Sequence, residues 1–435
     1  MPNSAVSAVR VSSRSAVPRN GITLDQLRTR GRTRTAAGLL GPAFVASAAY
    51  VDPGNFATNF AAGAEHGYLL VWVVLLADLM AVLVQYVTSK AGLATGHSLP
   101  ELCRARFGPR ANLVLWVQGE VVAMATDLAE FTGAAVGLHL LFGIALLPAG
   151  AVTACVAFAV LALDQRGHRR FELAVIALVA LVGVGFCYLF LASGAGADGR
   201  LIAGGLAPRL GGGDSAGLAA GIIGATVMPH VVYLHSALHK DRVAAPDARG
   251  QRTLLAFNKL DCFLGLGCAG LVNLAMLCVA AALFQGADPD AAGLADAHAR
   301  IGQLVGGGAA LAFAVALMAS GLSSSSVGTY AGQVIMAGFM NWRVPLFVRR
   351  AVTMLPSLLV LAFAANVSQA LVYSQVVLSF GIPFALIPLL IITREPGILG
   401  GAVNHGCTTA LLAVVTVLIS ALNAYLICQA VAGLG

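Results

Sequence analysis

The sequence predicts an all-α, polytopic membrane protein of about eleven spanning helices. Three observations carry that reading. Of 435 residues, 58% are hydrophobic and only 10% charged, against about 25% charged in a soluble domain. Mean hydropathy is +0.85. Apolar runs such as Leu173 to Ser193 hold no ionisable side chain except Cys187 and Tyr188, and about 20 apolar residues cross a hydrocarbon core. The residue-by-residue alternation of an outer-membrane barrel is not seen.

Residues 1–37 hold seven Arg and no Lys. They lack the apolar core of a cleavable signal peptide and read as a disordered cytoplasmic tail, although composition alone also admits a transit peptide. The membrane domain follows from 38 to 435. Its expected spans are 38–64, 68–92, 112–137, 144–163, 172–193, 215–240, 254–285, 304–338, 347–365, 370–393 and 405–431. The formal charge of +7 is not a nucleic-acid signal. Basic residues crowd the tail and the loops near 90–111, 164–172, 239–252, 341–350 and 394–405, whereas the opposite loops hold Arg200, Arg209 and Arg300. The positive-inside rule therefore puts the N-terminus in the cytoplasm of a cell with this protein in its membrane. Eight Cys without a CxxC pair read as small buried hydrophobes.

Spans one and six are interrupted. The first contains Asp52-Pro53-Gly54-Asn55 and the second Met228-Pro229-His230. Proline and glycine free backbone carbonyls there, and an intramembrane carboxylate is costly unless it has a partner. An odd number of crossings separates the breaks, so the two segments run antiparallel. If 38–193 and 215–393 are related, they are inverted repeats, with 405–431 as an added helix. Paired breaks in such halves point to a binding site near the midplane; ordinary proline kinks are the plainer alternative.

Asp52 offers a carboxylate oxygen, Asn55 an amide oxygen and the unwound backbone near Ala225 a carbonyl. Oxygens alone suit magnesium, calcium or sodium. The Met228 thioether is soft and favours manganese, iron, cobalt or cadmium; its plainer role is core filling. Half-helix C-termini at both breaks point partial negative charge at the same space. His230 opens the second half of span six and is a natural proton carrier. His235 lies about 140° around the helix from it and reads as a packing residue. Glu120, Asp127 and Glu130 fall within about 80° of one face of span three. They could line a proton path or pair with buried cations. Arg349 and Arg350 open span nine, either as partners of those acids or as interfacial anchors. Gln375 in span ten could add an amide oxygen or an interhelical hydrogen bond. Asp78, Lys259 and Asp261 read as structural or interfacial charges. No HExxH or P-loop lysine motif is present, and no enzyme is expected.

These strings resemble the Nramp family of proton-coupled divalent metal transporters. Further matches are Thr126-Asp127-Leu128-Ala129-Glu130-Phe131, Tyr233-Leu234-His235-Ser236 and Gly328-Thr329-Tyr330-Ala331-Gly332-Gln333. They run in order between about residues 38 and 393. The resemblance implies a LeuT-like fold and import of manganese or ferrous iron with protons by alternating access, with no cofactor beyond those cargoes. It implies metal ligation by Asp52, Asn55, the Ala225 carbonyl and Met228, with Gln375 in some conformations. Asp52, His230, Glu130, Asp127, Glu120, Arg349 and Arg350 would then serve proton movement. Many members have Gln where Leu322 stands and some have Asn at Val231; neither change removes a ligand. Relatives that move magnesium lack the Met. A sodium-coupled amino-acid symporter of the same fold and an intramembrane metalloenzyme are the other readings.

Overall fold

Hydrocarbon offers backbone groups no water, so apolar runs satisfy their amides and carbonyls internally as helices. A computed structural model describes residues 23–29, 31, 35 and 38–432, except 166–167, 197–198, 241, 244–246, 286–292, 343 and 364–366. Among the described residues there is no strand ladder. We number the principal helices α1 (Pro42–Ser47), α2 (Pro53–His66), α3 (Val71–Thr95), α4 (Leu99–Arg106), α5 (Pro109–Phe142), α6 (Leu146–Gln165), α7 (His168–Ala192) and α8 (Gly213–Thr226). There follow α9 (Pro229–His239), α10 (Ala248–Phe284), α11 (Leu294–Leu304), α12 (Gly307–Met340), α13 (Leu346–Phe363), α14 (Val367–Thr393) and α15 (Gly406–Ala432).

Each of the expected spans is helical, with spans one and six split into α1/α2 and α8/α9. Among the described residues, judged by length and apolar composition alone, seven stretches can cross a bilayer, with Pro53–Thr95 taken as one, or eight with the bent pair Val377–Thr393 and Pro396–Ala402. The smaller number has a structural reason. The break leaves Pro42–Val51 short, and Leu146–Val160 is also short. Most of the tail expected to be disordered lies outside the described residues. Leu24–Thr29 is helical, and Leu24 and Leu27 pack with Leu39 and Leu254.

Long helices α5 and α12 form the central packed pair. Small residues let them approach closely: a Cβ on Gly137 would lie 2.6 Å from the Met318 nitrogen, and one on Gly321 would lie 2.5 Å from that of Ala134. Gly133 abuts the first break, where an added Cβ would be 2.1 Å from Pro53 Cβ. Phe56 and Phe60 of α2 stack edge-on against Phe186 and Phe313, with centroids 5.1 to 6.3 Å apart. Such aromatic pairs add stability beyond their buried area. The cysteines correct the sequence reading. Cys103, Cys262 and Cys278 are buried, but Cys155, Cys187, Cys268, Cys407 and Cys428 are exposed on the bundle. In a membrane protein, outward apolar positions can meet lipid.

Helix ends are closed by familiar chemistry. Gly143 adopts φ 66° after α5, a left-handed position that glycine takes without steric cost. Ser98 N donates to Glu101 Oε2 at 2.8 Å at the start of α4. Lys240 Nζ donates to both Glu101 oxygens at 2.7 and 2.9 Å, tying α4 to the end of α9. Burial pushes the Glu101 carboxyl up, but Lys240 and Ser98 outweigh it and hold the group below its ordinary value. Asp261 accepts from Gly41 N and Ala43 N at 2.9 and 2.8 Å, so it caps α1. Asp261 thus has the structural role read from sequence. Lys259 is exposed.

Candidate metal centre

The first break starts where α1 tightens into a 3-10 turn, Ala48–Val51. Asp52 then extends at φ −78°, ψ 168°, and Pro53 starts α2. Proline suits a first helical turn because its missing N–H would have no helical partner. Asp52 is the N-cap. Its Oδ1 accepts from Asn55 N at 2.9 Å, and its Oδ2 accepts from Gly54 N at 3.2 Å. The freed carbonyls also find donors: Asn273 Nδ2 reaches Tyr50 O at 2.9 Å, and Ser320 Oγ reaches Val51 O at 2.5 Å.

The second break has Val227 and Met228 out of helical geometry before Pro229 starts α9. The two breaks face each other. Asn55 Nδ2 donates to Asp52 Oδ1 at 2.7 Å and to Ala225 O at 3.0 Å. Thr226 Oγ1 donates to Asn55 Oδ1 at 3.3 Å. Asp52, Asn55, Ala225 and Met228 are all fully buried. Met228 belongs to the packed cluster that includes Tyr50 and Val51.

Helix α14 lies over both breaks. A Cβ on Gly54 would sit 2.0 Å from Gln375 Nε2, and one on Gly224 would sit 2.9 Å from Ser379 Cβ. Both polar atoms of Gln375 are buried with no hydrogen-bond partner among the described residues. The structure therefore brings Gln375 to the first break, where span position alone left its role open.

The donor set is mixed. One carboxylate, amide and main-chain oxygens and a neighbouring thioether can suit a divalent transition metal. Among the described residues no three His, Cys, Asp or Glu gather into a conventional cluster. The Asn55 nitrogen bridges the carboxylate and the Ala225 carbonyl. A cation entering between those oxygens would displace it, and the turned amide would offer Oδ1.

The acid stripe of α5 assembles beside the breaks. Arg349 Nη2 meets Glu120 Oε2 at 2.8 Å. Asp127 is buried near Arg350 and Arg349. Glu130 is fully buried within electrostatic reach of Asp127, Asp52 and Arg350, and its oxygens have no close hydrogen-bond partner among the described residues. Arg350 donates to Ser325 O and Oγ at 3.2 and 2.8 Å, with its guanidinium 5.1 Å from the Phe158 ring centre. Glycines on α12 make room. A Cβ on Gly328 would lie 2.5 Å from Glu130 Oε2, and one on Gly332 would lie 2.3 Å from Arg349 Nη2. His230 Nδ1 is 3.0 Å from Thr126 Oγ1, linking α9 to α5.

His235 belongs elsewhere, as its helical angle suggested. Its Nδ1 is 2.9 Å from Gln85 Oε1, and Gln85 Nε2 donates to Tyr50 OH at 2.7 Å. Sequence reasoning missed Asn273, Ser320, Thr226 and the α12 glycines. Asn273 is a polar residue inside an otherwise apolar run, which was a usable signal. The partner of each could not be read from spacing.

A family model described as natural resistance-associated macrophage protein-like, Nramp, matches residues 43–429. The chain is 47% identical over 416 residues to the divalent metal cation transporter MntH of Deinococcus radiodurans, covering 95% of each chain. It is 46% identical over 415 residues to the Bacillus subtilis protein of that name, covering 94% of this chain and 96% of the other. A solved variant of the Eremococcus coleocola manganese transporter superposes with TM-score 0.85 at 29% identity, over 95% of this chain and 92% of that one. The amino-acid-bound MhsT structure gives TM-score 0.58 at 14% identity, over 88% of this chain and 98% of that one, a likeness of fold alone.

Proposed function

The chain belongs to the Nramp family, and we propose that it imports manganese and ferrous iron with protons by alternating access. It is a multi-pass membrane metal-ion transporter with a LeuT-like fold, not an enzyme. The specific cargo, proton coupling, residence in the cell membrane and cytoplasmic N-terminus are our reading. Cadmium and cobalt suit the same donors. The carrying observation is the meeting of Asp52, Asn55 and the Ala225 carbonyl across the two breaks.

In this reading Asp52, Asn55, the Ala225 carbonyl and Met228 hold the ion, with Gln375 closing over it. Asp52 also takes part in proton entry. Protons then use His230, Glu130, Asp127 and Glu120, with Arg349 and Arg350 completing the polar route. The halves 38–193 and 215–393 work as inverted repeats about the breaks. Net flux is tested by measuring metal and proton movement together in proteoliposomes, across a metal panel and two membrane potentials. Manganese uptake with coincident lumen acidification supports the reading; manganese uptake with no proton movement removes the coupling.

Two variants separate its parts. Met228→Ala removes the soft donor, so discrimination against calcium and magnesium should fall by about tenfold, roughly 1.4 kcal/mol. Competition uptake reads this, and unchanged selectivity would take the thioether out of the site. Glu130→Gln keeps the shape but cannot release a proton from a carboxylic acid. Manganese uptake should outlast most of its accompanying proton signal, and an unaltered proton-to-manganese ratio would remove Glu130 from the route.

A further inference from the structure

Outside the metal site, three oxygen-bearing side chains meet between α2, α3 and α10. Asn59 lies two turns beyond Asp52 on α2 and is fully buried. Its Nδ2 donates to Asn273 Oδ1 at 3.2 Å, and Met276 Sδ is 4.0 Å from the same nitrogen. Its Oδ1 has no donor among the described residues. Asn273 Nδ2 is occupied by the Tyr50 carbonyl. Asp78 of α3 reaches this place over Gly270, where a Cβ would lie 2.2 Å from Asp78 Oδ2. Asp78 is a partly buried residue within side-chain reach of Asn273, and its Oδ2 is a buried atom with no hydrogen-bond partner among the described residues.

Two buried acceptors therefore lack a positive partner beside a third oxygen that already takes one bond. Unsatisfied buried acceptors are costly, and an unpaired buried charge more so. Among the described residues, no Lys or Arg forms an ion pair with Asp78. The soft Met276 sulfur lies on the nitrogen side of Asn59, while Asn59 Oδ1 has no partner among the described residues. One carboxylate with amide oxygens balances one positive charge; a divalent ion would leave an uncompensated charge in a low-dielectric setting. We propose that Asp78, Asn59 and Asn273 form a second cation site, for a small monovalent ion of the sodium class. Asn273 also holds the carbonyl of Tyr50, two residues before Asp52, so occupancy steadies the first break. The two ions then favour each other's binding, as linkage requires.

The test uses the full-length protein in detergent without manganese. Melting temperature is measured at fixed pH and ionic strength in sodium, lithium, potassium or choline chloride. Sodium is expected to raise it saturably, by several degrees over choline. Asp78→Asn or Asn59→Ala should weaken that sodium dependence by about tenfold or more. If one variant fails to fold, the other carries the test. Equal melting in sodium and choline overturns the site, as does a sodium effect that survives both substitutions. A stabilisation that follows pH but not sodium overturns it in favour of a proton on Asp78. Because no manganese is present, any of these failures leaves the transport reading standing.

Discussion

Asp52→Asn should abolish manganese uptake while leaving the fold intact. Asparagine is as good an N-cap as aspartate, so α2 should keep its start within about 1 kcal/mol. The amide also removes the need to bury a formal charge, so the melting temperature should not fall. What disappears is the one carboxylate in the cluster formed by the two breaks. Charge-assisted contacts are the strong ones in a dry site. Uptake into proteoliposomes should drop by at least about 100-fold, near 3 kcal/mol of lost interaction. Parent-like uptake by a well-folded Asp52→Asn protein would remove Asp52 from the centre.

The second large effect is steric. An alanine at Gly133 would drive its methyl to 2.1 Å from Pro53 Cβ and 2.2 Å from its Cγ. A proline ring cannot swing aside as a long side chain can, so α5 or the first break must move by about 1 Å. Overpacking of this kind costs about 1–3 kcal/mol. Because the displaced residue is next to Asp52, manganese uptake should fall by at least about tenfold, alongside a lower melting temperature. Gly217→Ala is the control: beyond its own helical turn, an added Cβ there would meet no described atom within 4 Å, and Ala should be neutral or stabilise by up to about 1 kcal/mol. Equal melting and transport by parent and Gly133→Ala would show that α5 does not set the geometry of the break.

The breaks were legible because they offend locally. Proline, glycine and a carboxylate inside apolar runs each carry a cost that a single chain displays. The stripe of Glu120, Asp127 and Glu130 was legible for a similar reason, since helical spacing assigns a face. Partners were harder. Tyr50 O is held by Asn273, 223 residues away, and no local pattern sets that pairing. Gly328 and Gly332 looked like part of a string until their missing side chains were seen to admit Glu130 and Arg349. Span count was less secure than span existence, because breaks and bends divide length without erasing helicity.

The Asn55 amide bears on the unloaded half of the transport cycle. A carrier must recross the membrane after delivering its cargo, and two bare oxygen groups facing each other would resist closing. The amide nitrogen lies 2.7 Å from the Asp52 carboxylate and 3.0 Å from the Ala225 carbonyl. If the proposed site holds the cargo, that amide would bridge the two oxygens on the return step and would have to turn away for the next ion. Turnover and affinity would then be opposed at one side chain: a firmer placeholder would speed the return and weaken capture.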